Sequence, residues 1–201
     1  MEITFKGKTI TLDKELTLYD TLAITFAHIL HQQHISYVFV SGYVALLFGR
    51  SRVSEDIDML VEHMSFEKFK DLWDALSADF YCHNASDAQS AYNEYLEQNL
   101  ALRFSQKNMV IPNVEFKWAW NEQQKHALEQ RWSVILNSHE LSTSALELQI
   151  AFKIYLGSDK DIEDARYLFT LFREHLDLTI LQQEIKDLHL SFPTSKKKLG
   201  W

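Results

Sequence analysis

Few residues in this sequence interrupt or cross-link it. With two prolines and five glycines in 201 residues, long flexible linkers are not expected. The single cysteine, Cys82, excludes an internal disulfide and fits a reducing compartment. No apolar run approaches the ~18 residues of a membrane-spanning helix, and Met1-Glu2-Ile3-Thr4 lacks the form of a signal peptide. The expectation is therefore a cytoplasmic chain with no membrane partner. Basic residues are outnumbered 20 to 28, for a formal net charge of −8. That balance weighs against a dedicated nucleic-acid binder, which needs a basic face, but leaves room for a local basic groove. No internal repeat occurs at solenoid periods.

Core-forming residues, by contrast, are plentiful. A chain that is 46% hydrophobic and 13% aromatic can bury one α/β domain, or a core with a small helical lobe. Residues 3–12 alternate on both sides of Lys6-Gly7, which predicts a β-hairpin. Lys14 to Gln33 carries Leu18, Leu22, Phe26, Ile29 and Leu30 at helical spacing. His31 and His34, near its end, read as solvent-facing histidines rather than metal ligands, since no acidic or cysteine partner is near in sequence.

The informative stretch is Tyr37 to Glu62. A short apolar run with Val38 and Val40 suits a buried strand, and Ser41-Gly42 breaks it. Gly42 has no Cβ, so backbone or a ligand can come close there. Tyr43 to Phe48 suits a short buried helix. Arg52-Val53-Ser54-Glu55 then leads into Asp56-Ile57-Asp58 and the apolar Met59-Leu60-Val61. On a strand, Asp56 and Asp58 share a face. Two carboxylates side by side repel by roughly 1–4 kcal/mol at ~4 Å, depending on the local dielectric. A divalent cation relieves that repulsion, and such oxygen ligands suit Mg²⁺. Alone, the pair reads first as a strand end emerging into solvent.

Further on, Ser65 predicts the cap of a helix over Phe66, Phe69, Leu72, Trp73 and Leu76. Phe80-Tyr81-Cys82 suits a strand, and Ser86 to Gln89 has capping-box form for a helix to about residue 98. Two strands follow, over residues 100–104 and 109–118, with Pro112 disfavouring the start of the second unless that strand lies at an edge. In the second, Glu115 and Lys117 share one face, and Val114, Phe116 and Trp118 the other. Residues 121–132 fit helix or loop. Val134 to Leu136 suits a strand. Ser144-Ala145-Leu146-Glu147 is another capping box, opening a helix to about Leu156 that Gly157 closes. Helices over about 160–174 and 179–190 follow. The tail from Ser195 to Trp201 is expected to be loose.

Together, the bend at Ser41-Gly42, the short helix and Arg52-x-Ser54-x-Asp56-x-Asp58 resemble the signature of the nucleotidyltransferase superfamily, the DNA polymerase β-like fold. More narrowly, they are similar to the abortive-infection nucleotidyltransferases that act as toxins of toxin–antitoxin pairs. One departure is Ser41, where that family has glycine. In the last third, Glu147 and Lys153 on one helix, then Lys160-Asp161-Ile162-Glu163-Asp164 opening the next, resemble the toxin-like members. Asp161, Glu163 and Asp164 equally suit a helix first turn, and Lys153 a surface lysine.

The resemblance implies an α+β fold, with a mixed β-sheet flanked by helices. It divides the chain into a core over residues 1–120 and a mostly helical C-terminal lobe over 121–201, packed on it. It further implies transfer of an NMP from an NTP to a hydroxyl on a tRNA, a protein or a small molecule, with a cognate antitoxin as a further partner. Asp56, Asp58 and Glu115 would hold Mg²⁺ or Mn²⁺. Ser41, Gly42, Arg52, Ser54 and Lys153 would bind the nucleotide. Lys153 and Asp161 would join the catalytic set. Glu115 also suits an ordinary salt-bridged strand residue. Tyr43 and Trp118 suit either base stacking or core packing. The other reading is a nucleotidyltransferase fold without catalysis, acting as a binding or regulatory module.

Overall fold

The computed structural model describes residues 2–201. Met1, the first residue of the segment read as carrying no signal peptide, lies outside them. Strands β1 (Glu2–Lys6) and β2 (Thr9–Asp13) form the expected hairpin, turning at Gly7 with φ +60°. Helix α1 (Leu18–Gln32) starts later than its apolar spacing implies. Thr17 and Asp20 form a reciprocal capping box there, each side chain accepting from the other's N–H. Next come β3 (Tyr37–Phe39), α2 (Gly42–Leu47) and β4 (Asp56–Val61), the strand–bend–helix–strand order read in the sequence. Helix α3 (Phe66–Leu76) is capped by Ser65 as expected, and β5 (Phe80–Cys82) follows.

The next segment is less regular than expected. Asp87, not Ser86, caps α4 (Ala88–Ser90), because its carboxylate reaches the Ser90 N–H. The chain then loosens into a π turn over Ala91–Tyr95 and a 3₁₀ turn over Leu96–Gln98. Strands β6 (Leu102–Gln106) and β7 (Asn113–Trp118) follow, with β7 starting just beyond Pro112. Pro112 therefore removes no ladder hydrogen bond, and β7 runs in the interior of the sheet, paired on both sides. The undecided stretch forms α5 (Glu122–Glu129), opened by a capping box of Asn121 and Gln124.

Strands β8 (Trp132–Leu136) and β9 (His139–Thr143) form a hairpin, of which only the first strand was legible. Helix α6 (Leu146–Leu156) has no side-chain cap: Ala145 stands at that position, and the Ser144 hydroxyl donates to the Gln149 side chain instead. Gly157 closes it in the left-handed region, φ +73°. Ser158 then caps α7 (Asp159–Phe172), and α8 (Leu178–Asp187) follows.

The tail is not loose. Residues 192–199 form α9 (Phe192–Leu199), closed by Gly200 at φ +73°. Leu199 is buried, Trp201 lies against Phe169 and Phe192, and the Lys196 ammonium sits 4.3 Å over the Trp201 ring. The three lysines masked an apolar stripe of Phe192, Leu199 and Trp201 that was enough to dock the segment.

One nine-stranded sheet runs in the order β1-β2-β8-β9-β3-β4-β7-β6-β5. The chain beyond residue 120 thus supplies α5 and two interior strands before the helices from α6 onward. In the middle of the sheet, β4 pairs antiparallel with β3 and parallel with β7. One face of these strands carries Tyr37 and Phe39, then Ile57, Met59 and Val61, then Val114, Phe116 and Trp118, all buried in the main core with α1 and α3. The other face carries a smaller apolar group, Val38 and Leu60 against Ala127 of α5 and Leu148 of α6. The acidic residues of β4 and β7 emerge beside that smaller group. The alternation of the strands is therefore what separates core from site. Tyr43 and Trp118 are buried core residues, so neither presents a ring for base stacking.

If α9 is part of the core, Leu199→Ala costs about 2–4 kcal/mol in urea unfolding. A loose tail would give a change below about 0.5 kcal/mol.

Candidate active site

The bend after β3 has a strained geometry. Ser41 holds φ 60° and ψ −130°, a combination that glycine adopts freely and serine does not. A side-chain amide holds it in place. Gln149 of α6 accepts from the Ser41 N–H (3.2 Å) and donates to the Ser41 carbonyl (2.7 Å). The Ser144 hydroxyl fixes the Gln149 oxygen (2.9 Å). Nothing in the sequence singled out Gln149; it becomes visible only once α6 is packed against the bend. At Gly42, a Cβ would stand 3.1–3.2 Å from the Arg52 guanidinium. The close approach expected at this glycine is thus made by an arginine of the same chain.

Strand β4 carries the carboxylates. Asp58 is directly opposite Glu115, and Asp56 opposite Asn113, in the parallel pairing with β7. The Val40 N–H donates to the Asp58 carbonyl (3.0 Å), which ties the acidic strand to the bend. Ser54 steadies Asp56, donating to its backbone carbonyl at 3.1 Å and lying 3.4 Å from a carboxylate oxygen. Lys117 sits between the other two acids, its Nζ 3.5 Å from Asp58 and 3.6 Å from Glu115. Arg103 of β6 reaches Glu115 at 3.4 Å.

Burial first, then the Glu115 and Asp56 carboxylates, push the Asp58 carboxyl up to about 6 against the pull of Lys117. Burial would also raise Glu115, but the Lys117 ammonium, the facing Asp58 and Arg103 outweigh it and hold Glu115 below the ordinary carboxylate value. Of the facing pair, Asp58 takes the proton first. Among the described residues, no three His, Cys, Asp or Glu side chains stand together as a ready metal cage. The structure brings Asp58 and Glu115 together, with Asp56 two positions along the same face. His31 meets the Tyr37 hydroxyl at 3.3 Å.

A second charged group lies behind the bend. Asp164 of α7 is fully buried and pairs with Arg50, Arg52 and Lys153. The Lys153 ammonium bridges Asp164 (2.6 Å) and Asp161 (3.3 Å), and its side chain is 1% exposed. Burial, aided by Arg52 and Arg50, pushes Lys153 down to about 8 despite Asp161. Asp161 is drawn below its usual value, since Ser158 and Lys153 outweigh its burial. Lys153 is therefore taken up by its two carboxylates, and the cation facing Gly42 is Arg52. Arg52 also feels the charges of Asp161, Asp56 and Asp58, so it links the two groups. Glu147 is buried and accepts from the Asp177 N–H (2.8 Å), fastening α6 to the start of α8.

In front of the bend lies a cleft of about 650 Å³. Its floor includes Ser41, Asp58 and Lys117, and its far wall is made by α5, α6 and α8. That wall is acidic, with Glu122, Glu129, Glu184 and Asp187, set against Lys125 and His126. Sequence reasoning placed the floor but not the wall, because α5 and α8 reach the strands only through the fold.

No protein-family model and no curated protein matches this sequence. Solved structures do share its fold. An antigenic nucleotidyltransferase-like protein from Paracoccidioides brasiliensis aligns over 89% of this chain and 90% of its own, with TM-score 0.56 and 18% identity. ANT(2")-Ia in complex with adenylyl-2"-tobramycin aligns over 83% and 96%, with TM-score 0.52 and 11% identity. The solution structure of the antibiotic-resistance factor ANT(2'')-Ia gives TM-score 0.51 over 83% and 90%, also at 11% identity. The fold is therefore a mixed sheet flanked by helices, like that of nucleotidyltransferase-like proteins. Among the described residues, no helix is long and apolar enough to cross a membrane.

Two variants test this geometry. Ser41→Gly relieves the backbone strain and raises the unfolding free energy by about 1 kcal/mol, read in urea. For Asp58, the folded-state value of about 6 lies above the ordinary 3.8. The folded state then holds more protons between those values, so this group's contribution is full below pH about 4 and is lost as pH rises through about 6. Asp58→Asn removes that dependence. In chelator, the variant gains about 1–2 kcal/mol over the parent at about pH 8 and almost nothing at about pH 4.

Proposed function

We propose that this chain is a nucleotidyltransferase. A hydroxyl oxygen of an acceptor attacks the α-phosphorus of an NTP, the bond from that phosphorus to the bridging oxygen breaks, and pyrophosphate leaves. The observation that carries the reading is the facing pair Asp58 and Glu115, of which Asp58 lies on the floor of a cleft with Ser41 and Lys117, beside a glycine-bearing bend. Two carboxylates forced together, one of them pushed up to about 6, mark a place where positive charge is wanted.

Asp58 and Glu115 offer a hard cation two facing oxygen donors, only partly neutralised, with Asp56 farther along the same strand face. Asp56, Asp58 and Glu115 would hold Mg²⁺ or Mn²⁺, which when bound supplies charge neutralisation at the phosphoryl oxygens. The remaining work belongs to the chain. The Arg52 guanidinium, packed over Gly42, would offset phosphate charge beside the Ser41-Gly42 bend. Ser54 positions Asp56. Lys153 and Asp161 act behind them, setting Asp164 and through it Arg52. Glu115, held in its ionised form, would help to take the acceptor proton.

The acceptor remains a tRNA, a protein or a small molecule, and the toxin role, with its antitoxin partner, rests on the sequence pattern alone. The acidic wall favours one of these, a small molecule bearing amino groups, over a polyanionic tRNA. The reported ANT(2")-Ia complex, with its adenylylated tobramycin, sets a precedent for this fold. A second reading, a non-catalytic nucleotide-binding module, draws support from Ser41, whose N–H is taken up by Gln149.

Labelled NTPs with Mg²⁺, offered with total RNA, lysate protein or an aminoglycoside, test these readings. Transfer is expected, and it depends on Asp58 in its ionised form. Asp58→Ala should lower the rate about a hundredfold or more. Nucleotide binding in calorimetry without any transfer would support the module instead.

A further inference from the structure

Lys117 stands between the two facing acids of the site. It stands on β7 two residues after Glu115, on the same face, and lies on the floor of the cleft. Its ammonium lies almost midway between Asp58 (3.5 Å) and Glu115 (3.6 Å). Both distances exceed that of a formed N–H···O bond, so the charge is held by attraction and not locked by hydrogen bonds. No other acceptor takes the Lys117 ammonium among the described residues. The side chain is 29% exposed and has a flexible four-carbon stem, so it is free to turn into the cleft. Arg103 supplies a second positive charge to Glu115 from the far side.

We propose that Lys117 is a tethered counter-cation that competes with a divalent ion for the Asp58–Glu115 pair. In the free protein it neutralises these carboxylates and keeps their divalent affinity low. A triphosphate entering the cleft offers the ammonium a stronger partner, so Lys117 swings to the phosphates and frees the carboxylates for the metal. Nucleotide and metal then bind as a pair rather than one at a time. Lys117 is in this sense a positioning residue, acting through Asp58 and Glu115. The inference rests on the metal-assisted reading of the same site.

The test measures Mn²⁺ binding to the nucleotide-free protein, by calorimetry and by the loss of the free-ion electron paramagnetic resonance signal. Wild type, Lys117→Met, Lys117→Arg and Asp58→Asn are compared, and circular dichroism confirms that each is folded. Lys117→Met is expected to bind Mn²⁺ about tenfold more tightly than wild type, since it loses the competing charge. Lys117→Arg, which keeps the charge, should stay within about twofold of wild type. Asp58→Asn should abolish the site. If wild type binds through Asp58 and Lys117→Met is unchanged or weaker, the competition is overturned while the metal-assisted reading stands. If neither wild type nor Lys117→Met binds Mn²⁺ through Asp58, both fall together.

Discussion

The parallel pairing of β4 with β7 is the constraint on which the site depends. The register places Asp58 opposite Glu115 and, one face over, Met59 opposite Phe116. A slip of one residue would bury the acids and expose the core, so the hydrophobic face enforces the electrostatic conflict on the other. The repulsion is not a packing accident that the fold could relax. It is held in place by Ile57, Met59, Val114, Phe116 and Trp118, all buried in the same cluster.

Behind the acids, the fold solves a different charge problem. Asp164 is completely buried, a position that is costly for a lone carboxylate. It is tolerated because Arg50, Arg52 and Lys153 converge on it. Removing any one partner would leave charge uncompensated in a low-dielectric setting, which is more damaging than the net worth of the group. The arrangement also joins distant parts of the chain: the loop between α2 and β4 is held to α7. The carboxylates of β4 and the cations behind them therefore form one charged assembly, with Arg52 in the middle.

Much of this was legible in the sequence, for reasons that can be stated residue by residue. The alternation in Asp56–Val61 and Val114–Trp118 gave both strands and the face of each acid. Ser65, Gly157 and the Lys6-Gly7 turn announced element ends through local chemistry that needs no tertiary context. The misses share the opposite property. Ser144 looked like a cap, but Gln149 offered its hydroxyl a better partner, and Gln149 is explained only by the bend it holds. Asn121 and Gln124 open α5 by local rules, yet a polar surface helix shows too little periodicity to be read with assurance. The tail looked loose because three consecutive lysines outweighed Phe192, Leu199 and Trp201 in a reading by composition. Lys117 was placed on the correct face, but only the register across two strands shows that it stands between two acids.

Gln149 and Lys153 lie one helical turn apart on α6. The first grips the backbone of the bend, and the second grips the buried carboxylates of α7. The bend, α6 and the start of α7 are thereby joined through one face of α6. Across the cleft, α8 is tied to the same helix through Glu147 and the Asp177 N–H, and α5 meets α8 at the His126–Glu184 contact. The bend on one side of the cleft and the far wall on the other are thus braced through one helix, α6.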